Sequence, residues 1–110
     1  MSNFEFKIED VFPVGLDGEG QRPMHTNVVG RILKGTVRVG DIVRVPWKGG
    51  GEGSVAVKGL MAENGGEELF PETLAASSQG SRICCLSLRL PPHDSNRIDP
   101  ERIVRSGEVD

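Results

Sequence analysis

The 110 residues carry 13 basic and 16 acidic side chains, a net charge of −3, with 36% apolar and 5% aromatic residues and no Tyr. That length allows one domain with a modest core, and so few apolar residues fit a small barrel better than a fold built around a large buried pocket. A net negative chain has no bulk electrostatic pull toward nucleic acid or membranes.

The first element starts with strict alternation. Phe4, Phe6 and Ile8 share one face and Glu5, Lys7 and Glu9 the other, the pattern of a half-buried strand. Val11-Phe12-Pro13-Val14 changes phase, which predicts a bulge or bend near Glu9 and Asp10. Residues 15–23 form a polar, Gly-rich loop. Thr26 to Leu33 reads as the second strand, and Gly30 inside it predicts a bulge or a close backbone approach. Lys34-Gly35-Thr36 is a turn, and Val37 to Asp41 a short link. Ile42 to Trp47 is the third strand, with Pro46 at its exit or edge.

Lys48 to Ser54 holds a glycine cluster but lacks the following Lys-Ser or Lys-Thr and the helix of a phosphate loop, so a mobile loop is expected. Ser54 to Met61 is the fourth strand, with Val55, Val57, Leu60 and Met61 inward. Residues 67–70 and 72–76 are expected as helical turns, the first stopped by Pro71. Ser81 to Leu90 is the fifth strand, the most apolar run and therefore central. A short helical turn is expected at Asp99-Pro100-Glu101-Arg102, and a last strand from Arg105 to Val109. The expectation is an all-β chain: a single domain over residues 1–110, a small closed or nearly closed antiparallel β-barrel of about six strands.

Charge is uneven. Residues 22–60 hold seven Lys or Arg against two acids, whereas residues 61–80 hold four acids and no base. The central third could present a basic face, but charge alone favours a solvated sheet whose counter-charges fold nearby. Cys84 and Cys85 are neighbours in a strand, point to opposite faces and read as two small buried hydrophobes. With His25 and His93 they give no zinc-like spacing, so no metal or cofactor is expected. No apolar leader or long apolar run is visible, so neither a membrane nor secretion is expected, and the expected location is cytoplasmic. Glu9 and Asp10, adjacent in a strand, are expected to face opposite ways, which is wrong for a paired-carboxylate site. The serines have no suggestively placed His, and the two histidines are expected in surface loops. The chain is therefore expected not to be an enzyme.

Three stretches, in order, resemble the β-barrel second domain of translation elongation factor Tu and related translational GTPases. Ile8-Glu9-Asp10-Val11-Phe12 matches the opening-strand motif of that family letter for letter. Val28 to Asp41 resembles its next hairpin, with Gly30-Arg31, a turn glycine at Gly35 and then Val39-Gly40-Asp41. Pro100 to Val109 resembles the turn and start of its last strand, and weaker matches at Val57 to Leu60 and Gly80 to Leu88 fill the interval. In Val39-Gly40-Asp41 the glycine can take positive φ and the Asp can bond its own turn.

In the family this barrel packs on a GTPase domain and helps hold the aminoacyl end of tRNA. The resemblance therefore implies a translation-factor-like module whose partners are RNA (tRNA or rRNA) or a separate GTPase or other protein. The P-loop, Mg²⁺ ligands and switch segments have no counterpart in these residues, so no GTP hydrolysis is implied. Of the three places that build the aminoacyl pocket, Glu9-Asp10-Val11-Phe12 is kept. The middle-strand Glu falls at Gly59 or Leu60, and the Asn of the following strand falls near Arg82.

Two functions follow as expectations. The first is a non-catalytic binding module contacting RNA. Phosphate contacts would come from Arg31, Lys34, Arg38, Arg44, Lys48 and Lys58, beside the Glu9-Asp10-Val11-Phe12 stretch. Trp47 either stacks on a base or is a partly buried rim residue. The second is a protein-interaction or self-associating module, a homo-oligomer included, because small domains are marginal in isolation.

Overall fold

Residues 4–14, 25–64, 67–75 and 83–107 are described by a computed structural model of the chain. β1 (Glu5–Val14), β2 (His25–Lys34), β3 (Thr36–Arg38), β4 (Ile42–Pro46) and β5 (Glu52–Asn64) are followed by β6 (Glu67–Leu69), β7 (Thr73–Ala75), β8 (Cys84–Leu88) and β9 (Ile103–Ser106). The main sheet runs β4-β9-β1-β2-β8-β5, and β5 returns to pair with β4. Every pairing is antiparallel, so six strands close into a barrel with no free edge around the ring. β6 extends the far end of β5, and β3 and β7 form a separate two-stranded flap.

Alternation places one face of each strand in the barrel interior. Phe4, Phe6, Ile8, Val28, Ile32, Val43, Val45, Val57, Leu60, Leu86, Leu88 and Val104 meet there in one cluster. Burial of each such side chain contributes about 1.5–3 kcal/mol. Thr26 also points inward, and its hydroxyl donates to the Leu90 and Pro91 carbonyls. Gly30 is a close approach: a Cβ there would overlap the Lys7 carbonyl oxygen and lie 2.9 Å from Phe6 Cε1.

The predicted bulge in β1 is present, between Ile8 and Asp10. It leaves Glu9 and Asp10 both exposed, not on opposite faces as the alternation implied. In the turn after β3, Gly40 has φ 97° and Asp41 Oδ2 accepts from the Arg38 N–H at 2.9 Å, as its turn chemistry requires. The fourth predicted strand is longer than expected, reaching from Glu52 to Asn64. A bulge between Val57 and Gly59 shifts its phase, so Leu60 and Ala62 are buried while Met61 lies only half-buried. β8 is flanked on both sides, by β2 and β5, as a central strand must be.

The helical turns expected over 67–70 and 72–76 are not formed where the chain is described. Those residues hold β6 and β7 instead, because β5 and β3 offer ladders that outweigh local helix preference, and Leu74 is buried. Residue 76, the loop 15–23 from its first residue to its last, residues 81–82 and the 108–109 end of the last strand lie outside the described residues. Asp99 to Arg102 forms one hydrogen-bonded turn, Asp99 accepting from the Glu101 and Arg102 N–H groups. Among the described residues the helical segment is a six-residue 3-10 turn at Pro92–Arg97. The Gly49–Gly51 loop, expected to be mobile, is tied by Trp47 N–H to Gly51 O at 3.0 Å and Gly50 N–H to Trp47 O at 3.1 Å.

Candidate nucleic-acid interface

The residues singled out in the sequence fall into two groups. Glu9, Asp10, Val11, Phe12 and Arg31 lie on β1 and β2; Arg44, Trp47 and Lys48 lie on β4 and its loop. β2 and β4 are three steps apart in either direction around the six-strand ring, so Arg31 and Arg44 sit on opposite sides of the barrel. The basic side chains also have nearby counter-charges. Arg31 pairs with Glu9 at 3.7 Å, Lys34 with Glu5 at 3.6 Å and Arg44 with Glu52 at 3.9 Å. Arg31 and Arg44 therefore do not share one face of the barrel.

Trp47 packs against the core, and the Arg97 guanidinium carbon lies 4.9 Å from its ring centroid. A Cβ at Gly53 would overlap the indole. The ring is thus engaged within the protein as a rim residue. Lys48 is exposed, and its N–H donates to the Arg97 carbonyl at 2.8 Å.

The first group sits on a surface that register assembles from four strands. Phe12 pairs with Asn27, Asn27 with Ser87 and Ser87 with Gly59. These residues alternate with the buried Val11-side, Thr26, Val28, Leu86, Leu88 and Leu60 positions and so form one row on the outside of the barrel. The Ser87 hydroxyl donates to Asn27 Oδ1 at 2.9 Å. Phe12 is 39% exposed, an aromatic ring at the end of the row. At Gly59 a Cβ would meet only Ser87, at 3.8 Å, so the row ends in open space above the sheet.

His25 and Lys58 border this row. His25 is not the loop residue expected; it opens β2, half-buried, opposite Val14. Burial, helped by the nearby Lys58 charge, lowers its pKa, against an Asn27 side-chain hydrogen bond that raises it. Its buried Nδ1 finds no hydrogen-bond partner among the described residues. Asp10 is exposed and accepts the Val11 N–H at 2.9 Å, while Val11 packs on the core.

The surface offers an exposed ring, an amide, a hydroxyl, an imidazole and two basic side chains, Lys58 and the Glu9-paired Arg31. It offers no activated nucleophile. Burial pushes the Cys84 thiol up to about 12 and the Cys85 thiol up to about 11. Among the described residues no three His, Cys, Asp or Glu side chains come together, and no helix is long and apolar enough to cross a membrane. Asn27 and Ser87 were not singled out by sequence reading, His25 was expected in a surface loop, and Gly59 was named only as one of two positions for the family's middle-strand Glu; strand register, linking positions 12, 27, 87 and 59, brings them together. No family model and no curated protein matches the chain.

Proposed function

We propose that this chain is a non-catalytic binding module, akin to the second domain of elongation factor Tu, that contacts single-stranded RNA through the outer face of β1, β2, β8 and β5. The observation that carries this reading is the cross-strand row Phe12-Asn27-Ser87-Gly59. A base stacks on Phe12, its edge meets Asn27, Ser87 and His25, and Arg31 and Lys58 take flanking phosphates. The Ile8-Glu9-Asp10-Val11-Phe12 match supports the same face, because that stretch supplies Phe12 and Asp10.

Where the family carries its middle-strand Glu this chain has Gly59 or Leu60, and Gly59 lies in the row. The ligand is therefore an unpaired base rather than an aminoacylated tRNA end. The module acts with components of translation in the cytoplasm.

Fluorescence anisotropy with a labelled single-stranded RNA and a duplex of the same sequence, both at low salt, tests this. Binding of the single strand below about 10 µM, tighter than weak non-specific association, and preference over the duplex are expected. Equal binding of both, or no binding in that range, defeats the reading.

A further inference from the structure

On the side of the ring away from β2, two arginines hold one carboxylate, and a third follows in the turn before β9. Arg44 of β4 and Arg105 of β9 are direct cross-strand partners. Like charges placed opposite one another destabilise a sheet, so this pair needs an anion. Glu52, at the start of β5, supplies it. Arg105 donates Nε to Oε2 at 2.9 Å and Nη2 to Oε1 at 2.8 Å, and Arg44 Nη1 lies 3.9 Å from Oε1. Arg102, in the turn before β9, is close enough to act electrostatically on the same carboxylate. Glu5, next along the row, is matched by Lys34 at 3.6 Å. Glu5 is also the direct cross-strand partner of Arg105, so with Lys34 counted four positive charges face the two negative charges of Glu5 and Glu52, a surplus of two.

The surplus is available to a ligand, and the Arg105 side chain is 51% exposed. Guanidinium groups present paired N–H donors that match phosphoryl oxygens, and a phosphoryl dianion carries the two charges that the cluster lacks. We propose that Arg44, Arg102 and Arg105 form a binding site for a dianionic phosphoryl group, with Glu52 holding Arg44 and Arg105 in register. The site is independent of the RNA reading above, since its arginines lie on β4, on β9 and in the turn before β9, none of which carries the row.

The test is an NMR titration of the full chain with inorganic pyrophosphate at low ionic strength, following the arginine Nε–Hε signals. Saturable shifts at Arg44 and Arg105, with Arg31 and Arg89 unmoved, are expected. Glu52→Gln removes the competing ion pair and should tighten binding about fivefold. Arg102→Gln keeps the clamp and should weaken binding about threefold, so it decides the matter if Glu52→Gln fails to fold.

A 5′-phosphorylated oligonucleotide and its 5′-hydroxyl counterpart identify the source of the phosphoryl group. Preference for the phosphorylated oligonucleotide over pyrophosphate assigns it to a nucleic-acid end, and the reverse to a small phosphate compound; each supports the site. No saturable shift up to about 20 mM, or equal shifts at Arg31 and Arg89, overturns it.

Discussion

The two halves of this barrel are held together differently. On one side β1 and β2 pair from Glu5 to Val14, and β8 is laddered to both β2 and β5. On the other side β4 meets β9 only at Val43 and Arg44, and the ring is completed by side chains, the Glu52 ion pairs and the Trp47 indole under Arg97, and by one backbone bond from the Gly107 N–H to the Ile42 carbonyl. A long ladder holds its register through backbone geometry and tolerates a plain polar exterior. A short seam relies on specific contacts, and that is where the arginines gather. The proposed RNA face lies on the long-laddered side, where a rigid sheet can fix a row of side chains without further support.

The largest effect should come from the close approach on the long-laddered side. Gly30→Ala drives a methyl into the Lys7 carbonyl and the Phe6 ring, and a loss of about 3 kcal/mol or failure to fold is expected in urea denaturation. A loss under about 1 kcal/mol would show that the β1–β2 contact is looser than described. On the seam side, Trp47→Ala should cost about 2 kcal/mol, because the indole is only half-buried. If its loss equals that of Gly30→Ala, the seam is no weaker than the ladder and the comparison fails.

Acid should act on both halves in the same direction. Hydrogen bonding from Arg105 holds the Glu52 carboxyl below its ordinary value of 4.5. Its contribution is present above that pH and is lost as pH falls through the folded-state pKa. His25 lies below its ordinary value of 6.5 mainly because it is buried, so the unfolded chain takes up its proton first and stability declines as pH drops beneath 6.5. Thermal melts of Glu52→Gln should show a neutral-pH loss under about 1 kcal/mol, as befits a partly exposed pair, and a flatter profile below pH 4.5 than the parent. An unchanged profile would remove Glu52 from the account of the seam.

The smallest effect on stability and the sharpest on binding should be Phe12→Ala. Its exposed ring should cost less than about 0.5 kcal/mol in folding, while binding of single-stranded RNA weakens by about 1–3 kcal/mol. A variant that binds RNA as the parent does would remove Phe12 from the proposed surface.

Much of the fold is legible in the residues because it is written locally. The phase change after Ile8 announces the β1 bulge, and Val39-Gly40-Asp41 announces its turn. Where long-range pairing overrides local preference, reading fails. Residues 67–75 have helix-compatible side chains and a stopping proline, yet ladders with β5 and β3 make them strands. Met61 was misplaced because the bulge between Val57 and Gly59 leaves no mark in an apolar pattern. The candidate surface was half legible. Phe12 and Asp10 stood out through the motif and Gly59 through the resemblance, whereas Asn27 and Ser87 are ordinary residues until register aligns them. The arginine cluster was less legible still, since about fifty positions separate Glu52 from Arg105 in the chain.

The adjacent thiols of β8 give the barrel a built-in clock. Cys84 faces the core and Cys85 the outside, yet both are buried and both thiols are held far from ionisation at neutral pH. Alkylation must therefore await opening of the strands around them. Because β8 belongs to the long-laddered half, the labelling rate reports how often that half comes apart, and amide exchange at Arg44, whose N–H faces β9, reports the same for the seam. Their ratio measures how far the barrel can unlatch on one side while remaining folded on the other.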